Sequence, residues 1–398
     1  MTFLNLGDPL RRLNYMRNIP FLFFALFLFL AAPALWAKSH PTPTPTDLPD
    51  DTPTFTPTDT PTPLPVKFPK LYTFDAMWGS QGQGNDQLND PEGIAIAPDG
   101  NMVIADTANC RVLVWDTNGK PLRTIGTCGV RADWRNPPQF DHPSGVFADA
   151  SGQIYVADSN NQRIVVLDKK GLVNLTWGSQ GQANGQFNLP RSLSKDHYGN
   201  FWVLDTGNSR VQTFSPLGNF ISTWGTFGAA DSKSNTLTAT MNNPLGMALN
   251  HIDQTVIADT GNFRMEVFNN GGVPVTVQGW FGDGPFQFKE PSGVAITNSG
   301  IVAIADGIGG RVLFYNSRNG DFELLGQWKA KEEILNQNFD PKFRSIACDS
   351  QNRLYLTDIK NNVIIRLKPL KEETFLAPTL TPTPSDVNPY GGVGYPIR

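Results

Sequence analysis

The sequence predicts an all-β fold: a six-bladed β-propeller of four-stranded blades, with the last blade closed by an N-terminal strand. Three observations predict it. An aspartate recurs six times, at intervals of 52, 47, 54, 47 and 52 residues. Between recurrences lie short runs of β-branched and aromatic residues bounded by Gly, Asn and Asp, which is hairpin chemistry. No helical pattern intervenes, so antiparallel four-stranded units at this period suit a propeller better than a sandwich.

Five copies open on proline, at Pro91, Pro143, Pro190, Pro244 and Pro291, and fifteen residues later each reaches Asp106, Asp158, Asp205, Asp259 or Asp306. A sixth copy keeps the interval from Phe343 to Asp358. In the second copy Gly145-Val146-Phe147-Ala148, Ile154-Tyr155-Val156-Ala157-Asp158, Arg163-Ile164-Val165-Val166-Leu167 and Val173-Asn174-Leu175-Thr176-Trp177 read as four strands. In the first, Asp99-Gly100 and Asn118-Gly119 are strong two-residue hairpin signals. The sixth copy ends after Val363-Ile364-Ile365-Arg366-Leu367 without a fourth strand, whereas an orphan fourth strand, Leu71-Tyr72-Thr73-Phe74-Asp75-Ala76-Met77-Trp78-Gly79, precedes the first copy. Joining the two closes the ring and removes the edges an open array would expose.

The motif Pro-x-Gly-(Ile/Val)-Ala, then Gly-x-(Ile/Leu)-Tyr-Val-Ala-Asp, then Asn-x-Arg-(Val/Ile), resembles the NHL repeat, as does the connector Trp177-Gly178-Ser179-Gln180-Gly181-Gln182. The resemblance covers about residues 71–367 and suggests an exported bacterial-type NHL repeat protein. It implies a range of activities: zinc-dependent amidating lyases and streptogramin lyases, gluconolactonase-like propellers that hold a metal through carboxylates, and RNA binding in tripartite-motif proteins.

The ends differ in composition from the repeats. Residues 1–18 form a basic n-region with Arg11, Arg12 and Arg17 against Asp8, and residues 19–37 carry no charge. This pattern is a signal peptide or a single transmembrane anchor, with everything after it outside the cytoplasm. Residues 38–65 hold nine Pro and nine Thr among 28 residues, an extended stalk that cannot build a core. Residues 66–370 are the propeller, and 371–398 a second Pro/Thr-rich tail. The expected location is therefore extracytoplasmic, membrane-anchored or secreted, at the cell surface. The formal charge of −4 and the exported location both argue against nucleic acid as a partner.

The repeated polar triplets are Asp106/Asn109/Arg111, Asp158/Asn161/Arg163, Asp205/Asn208/Arg210 and Asp259/Asn262/Arg264. They sit at the turn between second and third strands, where Asp and Asn satisfy turn backbone and Arg pairs with Asp, so they read as structural. Trp78, Trp177, Trp224, Trp280 and Trp328 precede the connectors and read as packing between blades. Of the three cysteines, Cys110 and Cys128 face each other across the Asn118-Gly119 turn when paired residues sum to about 237, which predicts a disulfide and leaves Cys348 free.

The residues that differ between copies are the functional candidates. The position after each Pro opens the innermost strand at the channel mouth: Glu92, Ser144, Arg191, Leu245, Ser292 and Arg344. Just before it come Asp90, His142, Leu189, Asn243, Glu290 and Lys342. Glu92, His142, Arg191, Glu290, Lys342 and Arg344 form the candidate ligand site, in which Arg191 and Arg344, from opposite blades, would grip an anion. The competing reading is that Glu92 neutralises Arg344 and the ring only plugs the channel. Catalytic zinc takes three protein ligands, and of the four histidines only His142 is at the mouth. No metal, cofactor or catalytic residue is assigned. A monomeric binding scaffold for a protein, peptide or glycan is the expectation, and a metal-assisted lyase or lactonase, using carboxylates such as Glu92 and Glu290 with Asn243, is the alternative.

Overall fold

The structure, a computed structural model, describes residues 68–130, 137–229, 237–317, 322–334 and 339–370. The expected n-region, apolar segment, stalk and tail lie outside these residues. Among the described residues no helix is long and apolar enough to cross a membrane.

Six four-stranded antiparallel sheets form the blades of the propeller. Blade two, for example, runs Pro143–Ala148, Ile154–Asp158, Arg163–Leu167 and Val173–Trp177 from first to fourth strand. In it Pro143 lies opposite Asp158, so the strand start and the turn after the second strand share one face of the ring. The second and third strands are buried along their whole length. Each is covered by a neighbouring blade on both sides, which is why these strands read as unbroken apolar runs rather than as alternation.

Ring closure follows the sequence expectation. Tyr72–Trp78 pairs antiparallel with Val363–Pro369 and completes blade six. The strand is also clasped by blade five. Tyr72 stacks on Phe314 at 4.8 Å, and Glu333 accepts hydrogen bonds from Thr73 Oγ1 and the Phe74 N–H, both 2.9 Å, and pairs with Lys70 at 3.1 Å.

Neighbouring blades are joined by one repeated hydrogen bond. The hydroxyl after the aspartate donates to the carbonyl of the next copy's proline: Thr107 to Pro143 (2.7 Å), Ser159 to Pro190 (2.6 Å), Thr206 to Pro244 (2.8 Å) and Thr260 to Pro291 (2.6 Å). Blade five has Gly307 there, and Ser292 supplies the bond instead, donating to the Phe343 carbonyl at 3.0 Å.

Tryptophan packs between blades at Trp177, which meets Phe201 and Phe214 at 5.5 and 5.8 Å. Trp224 meets Phe268 at 4.6 Å, and Trp328 meets Phe343 at 6.2 Å. Trp280 corrects the expectation. In blade four the residue facing the third strand is Gln278, paired with Met265, and Trp280 lies beyond Gly279 in the connector, in a parallel pairing with Gln287.

Cys110 and Cys128 are disulfide-bonded with Cα atoms 4.8 Å apart, and Cys348 is free. In blade four the corresponding residues are Phe263 and Phe281, which make an edge-to-face contact at 5.0 Å. Cys110 and Phe263 share a left-handed backbone, φ 52° and 56°.

Candidate functional site

The first strands stand side by side around a channel of about 250 Å³. Their close approach explains the glycine of Pro-x-Gly. A Cβ on Gly93 would lie 2.1 Å from the Ser144 carbonyl oxygen, and one on Gly145 2.1 Å from that of Arg191. Blades three and six depart from the pattern, with Ser192 and Ser345 in the glycine position. These are also the two blades with arginine at the mouth.

Five of the six candidate residues come together. The Arg191 Nη1 donates to Glu92 Oε2 at 2.5 Å. This arginine passes over blade two, where Ser144 is small, buried and bonded to Ser159 and the Pro190 carbonyl. Arg344 lies between two carboxylates, with Nη1 3.3 Å from Glu290 Oε1 and Nε 3.9 Å from Glu92 Oε1. Lys342 Nζ is 3.3 Å from Glu290 Oε2. The result is a continuous chain of charge, Arg191–Glu92–Arg344–Glu290–Lys342, around one side of the mouth. The two arginines therefore do not face each other across an empty mouth. Each turns to a carboxylate within reach, because an ion pair near a partly desolvated surface is worth more than two solvated charges held apart.

His142 is not part of this chain. Its Nδ1 lies 3.0 Å from Asp141 Oδ1 and 2.9 Å from Asn160 Nδ2, on the exposed rim. Its backbone is left-handed (φ 49°), as are those of Asp90, Leu189 and Asn243 at the same position, whereas Glu290 and Lys342 are not among the positive-φ residues. Asp90 joins the mouth electrostatically: burial and nearby Glu92 raise its carboxyl above the usual range, against the pull of Arg344, His142 and Arg191.

Ile94, Val146, Leu193, Met247, Val294 and Ile346, each three residues after its copy's Pro or Phe343, are buried on the strands that line the channel. Each packs into a different one of the six hydrophobic cores between blades, as the sequence pattern of ordinary core suggests.

The repeated triplets serve the frame, with a correction to how they bond. Asp158 Oδ2 accepts from Arg163 Nε (2.8 Å) and Asn161 Nδ2 (2.9 Å), while Oδ1 accepts from the Asp141 N–H (2.8 Å). Asp106 repeats this with Arg111 and Asn109, Asp205 with Arg210 and Asn208, and Asp259 with Arg264 and Asn262. The asparagine amides also reach beyond their own turn, which the sequence does not suggest. Around Asn109, Asn208 and Asn262 that turn closes by itself, with Cys110, Ser209 and Phe263 donating their N–H to the carbonyls of Thr107, Thr206 and Thr260. Each amide is left to reach a glycine carbonyl in the preceding connector: Asn109 to Gly82 (2.8 Å), Asn161 to Gly129 (3.2 Å), Asn208 to Gly181 (2.9 Å) and Asn262 to Gly228 (3.0 Å).

The arginines likewise do more than pair with aspartate. Arg111 donates to the carbonyls of Gln83, Gly84 and Gln87, and Arg210 to those of Gln182, Ala183 and Gln186. Arg210 is only partly buried, unlike Arg163 and Arg264. Burial outweighs the arginine and raises the Asp158, Asp205 and Asp259 carboxyls.

The NHL repeat model matches residues 88–115 and 140–167, the core of blades one and two. The chain is an NHL-repeat propeller. Residues 88–115 carry Pro91, Asp106 and Arg111, the frame just described. The protein brain tumor of Drosophila melanogaster is similar to this NHL propeller, 25% identical over 139 residues, covering 25% of this chain and 13% of that protein. The chain thus spans a small part of that relative's length. Among solved structures, a gluconolactonase from Xanthomonas campestris is 17% identical with a TM-score of 0.51, covering 77% of this chain and 99% of that one. A protein of unknown function from Bacteroides thetaiotaomicron is 14% identical with a TM-score of 0.54, covering 74% and 76%. At these identities the likeness is one of fold.

Proposed function

We propose that this NHL propeller is an extracytoplasmic, membrane-tethered recognition scaffold that binds a protein, peptide or glycan at the channel mouth. The observation that carries this reading is the charge chain from Arg191 to Lys342. The frame repeats from blade to blade, whereas these charges do not, and they gather where the channel opens. A repeated architecture needs no such asymmetry, and a ligand that distinguishes one side of the ring does. Location outside the cytoplasm is supported by the basic and apolar N-terminal pattern and by the Cys110–Cys128 disulfide, since disulfides persist in oxidising compartments. Retention as an anchor fits the 38–65 stalk, which could extend about 87 Å at about 3.1 Å per residue.

The metal-assisted alternative is less well supported. Glu92 and Glu290, the carboxylates it would use, are engaged by Arg191, Arg344 and Lys342. Among the described residues no group of three or more His, Cys, Asp and Glu side chains is disposed to hold a metal ion.

The test is binding of the full chain to peptide and glycan panels, compared with Arg191→Ala plus Arg344→Ala. Loss of a charged partner typically costs about 1.5–3 kcal/mol, so affinity for an anionic ligand should fall more than about tenfold. Unchanged affinity across the panels would remove the mouth as the site.

A further inference from the structure

We propose that the outer strand of blade three, Phe220–Trp224, pairs edge to edge with the same strand of a second copy, so that the chain is a two-fold dimer joined at the rims of its propellers. This replaces the monomer expected from the sequence. It is independent of the mouth, because it uses the outside of the ring and leaves both channels open.

The first observation is the strand itself. Phe220–Trp224 ends its sheet, paired on one side with Arg210–Phe214 and, among the described residues, with no strand on the other. Its central residues, Ile221, Ser222 and Thr223, are all exposed. Such an edge is a template for another strand, and proteins blunt it with charge or proline. The other blades do so. Their outer strands carry Pro121 and Arg123, Pro274, Glu323 and Lys329, and Asp75, and in blade two Lys169 and Lys170 stand in the turn before Val173. Blade three has no such guard: from Val211 to Ala230 no residue is charged, and the strand holds no proline.

The second observation is the surface around it. Of the fourteen large hydrophobic side chains exposed among the described residues, nine lie between Tyr198 and Phe281, in blades three and four and the connectors after them. Leu217 (74%), Ile221 (50%) and Phe227 (70%) mark the turn before the strand, its middle and the connector just beyond it. Among the described residues from 171 to 282 every Asp, Glu, Lys and Arg is buried or half-buried. Depletion of charge beside a concentration of exposed apolar groups is the composition of an interface core.

The third is what such an edge can accept. A two-fold axis sets each residue of the strand opposite itself or a close neighbour, so a charge there would meet its own copy. An edge free of charge is self-complementary. A foreign protein is selected by complementary charge, which this sector does not present. A lipid surface draws lysine and arginine, and hydrocarbon would leave the edge backbone unpaired.

The experiment is sedimentation of the full chain in detergent over the micromolar range, with hydrogen exchange read at residues 220–224. The unaltered chain should sediment as a dimer that dissociates on dilution, and exchange at 220–224 should quicken as it does. Ile221→Lys plus Thr223→Lys sets like charges across the axis and should weaken the dimer about tenfold or more. Leu122→Lys is the control, since Leu122 holds the same bulge position in blade one and is about equally exposed; it should leave the dimer unchanged. A monomer throughout overturns the proposal and leaves the strand to a foreign protein or to lipid. A dimer indifferent to the two lysines, or one whose exchange at 220–224 does not respond to dilution, also overturns it, because another surface then joins the copies. Should the lysine variant misfold, exchange in the unaltered chain decides.

Discussion

A nearly full ring and a partial ring of ion pairs stand around the channel, an outer and an inner one, and they obey different rules. The outer ring is built from the Asp–Arg pairs of the repeats, in which every aspartate is fully buried and the same atoms bond in five copies. The inner ring is the chain from Arg191 to Lys342, partly solvated, irregular in spacing and drawn from only four of the six blades. The outer ring fastens each connector to the following blade and is limited by desolvation: a buried carboxylate is tolerable only with all its partners present. The inner ring fastens nothing along the chain. Its members compensate one another across blades through contacts that are mostly 3.3–3.9 Å. Strength in this protein follows burial and repetition; the selectivity proposed for the mouth would follow from their absence.

The largest expected effect breaks the outer ring. Arg163→Ala strands Asp158, which is buried and already raised by burial, so a loss of about 3–5 kcal/mol is expected in denaturant unfolding. A loss below about 1 kcal/mol would mean that the outer ring is no frame.

Blade one adds a covalent fastening to the same region. Replacing Cys110 and Cys128 by serine opens a link across 18 residues of sequence, and about 3 kcal/mol should be lost on the chain-entropy argument. A melting temperature unaffected by the substitution, or by reductant, would show that the Asp106–Arg111 pair suffices there.

Blade four tests the outer rule by violating it. Glu266 brings a second carboxyl to Arg264, and its Oε2 is buried without a hydrogen-bond partner. Burial, then Asp259, pushes its pKa up to about 9. A carboxyl raised in the folded state favours folding when protonated. Its contribution is complete below the ordinary glutamate range and is lost as pH rises through about 9. Glu266→Gln should therefore stabilise the propeller by about 1–3 kcal/mol near pH 9 and by less in mild acid. In blade three the corresponding Gln212 shows how an amide fits, donating to Asp205 and to the Gln186 carbonyl. Equal stability of the two proteins from pH 5 to 9 would place an ionised Glu266 in the fold.

The smallest stability effect belongs to the inner ring. Arg191→Gln removes a partly exposed pair, and about 1 kcal/mol or less is expected. An unfolding penalty as large as that of Arg163→Ala would make the mouth a plug and collapse the difference between the rings.

The sequence by itself determined the number of blades, the strands, the closure by Tyr72–Trp78 and the frame role of the triplets. All of these are written in periodic spacing, and an antiparallel ladder translates spacing into position. It also placed Cys110 beside Cys128, because a tight hairpin fixes which residues face each other. The acceptors of Asn109, Asn208, Asn262 and Arg210 were not legible, since the connector carbonyls they hold lie 24 to 34 residues away along the chain. Only the tertiary structure decided what the mouth does with its charges. Arg191 turns to Glu92 across the buried Ser144 rather than to Arg344, and His142 turns to Asp141 and Asn160 on the rim. Ile94, Val146, Leu193, Met247, Val294 and Ile346 were visible as six apolar letters, but not as members of six separate cores between blades. Contacts along a strand or across a hairpin are local and leave a pattern in the chain. Contacts across a ring join residues about 50–250 apart, and their geometry exists only once the blades have closed on one another.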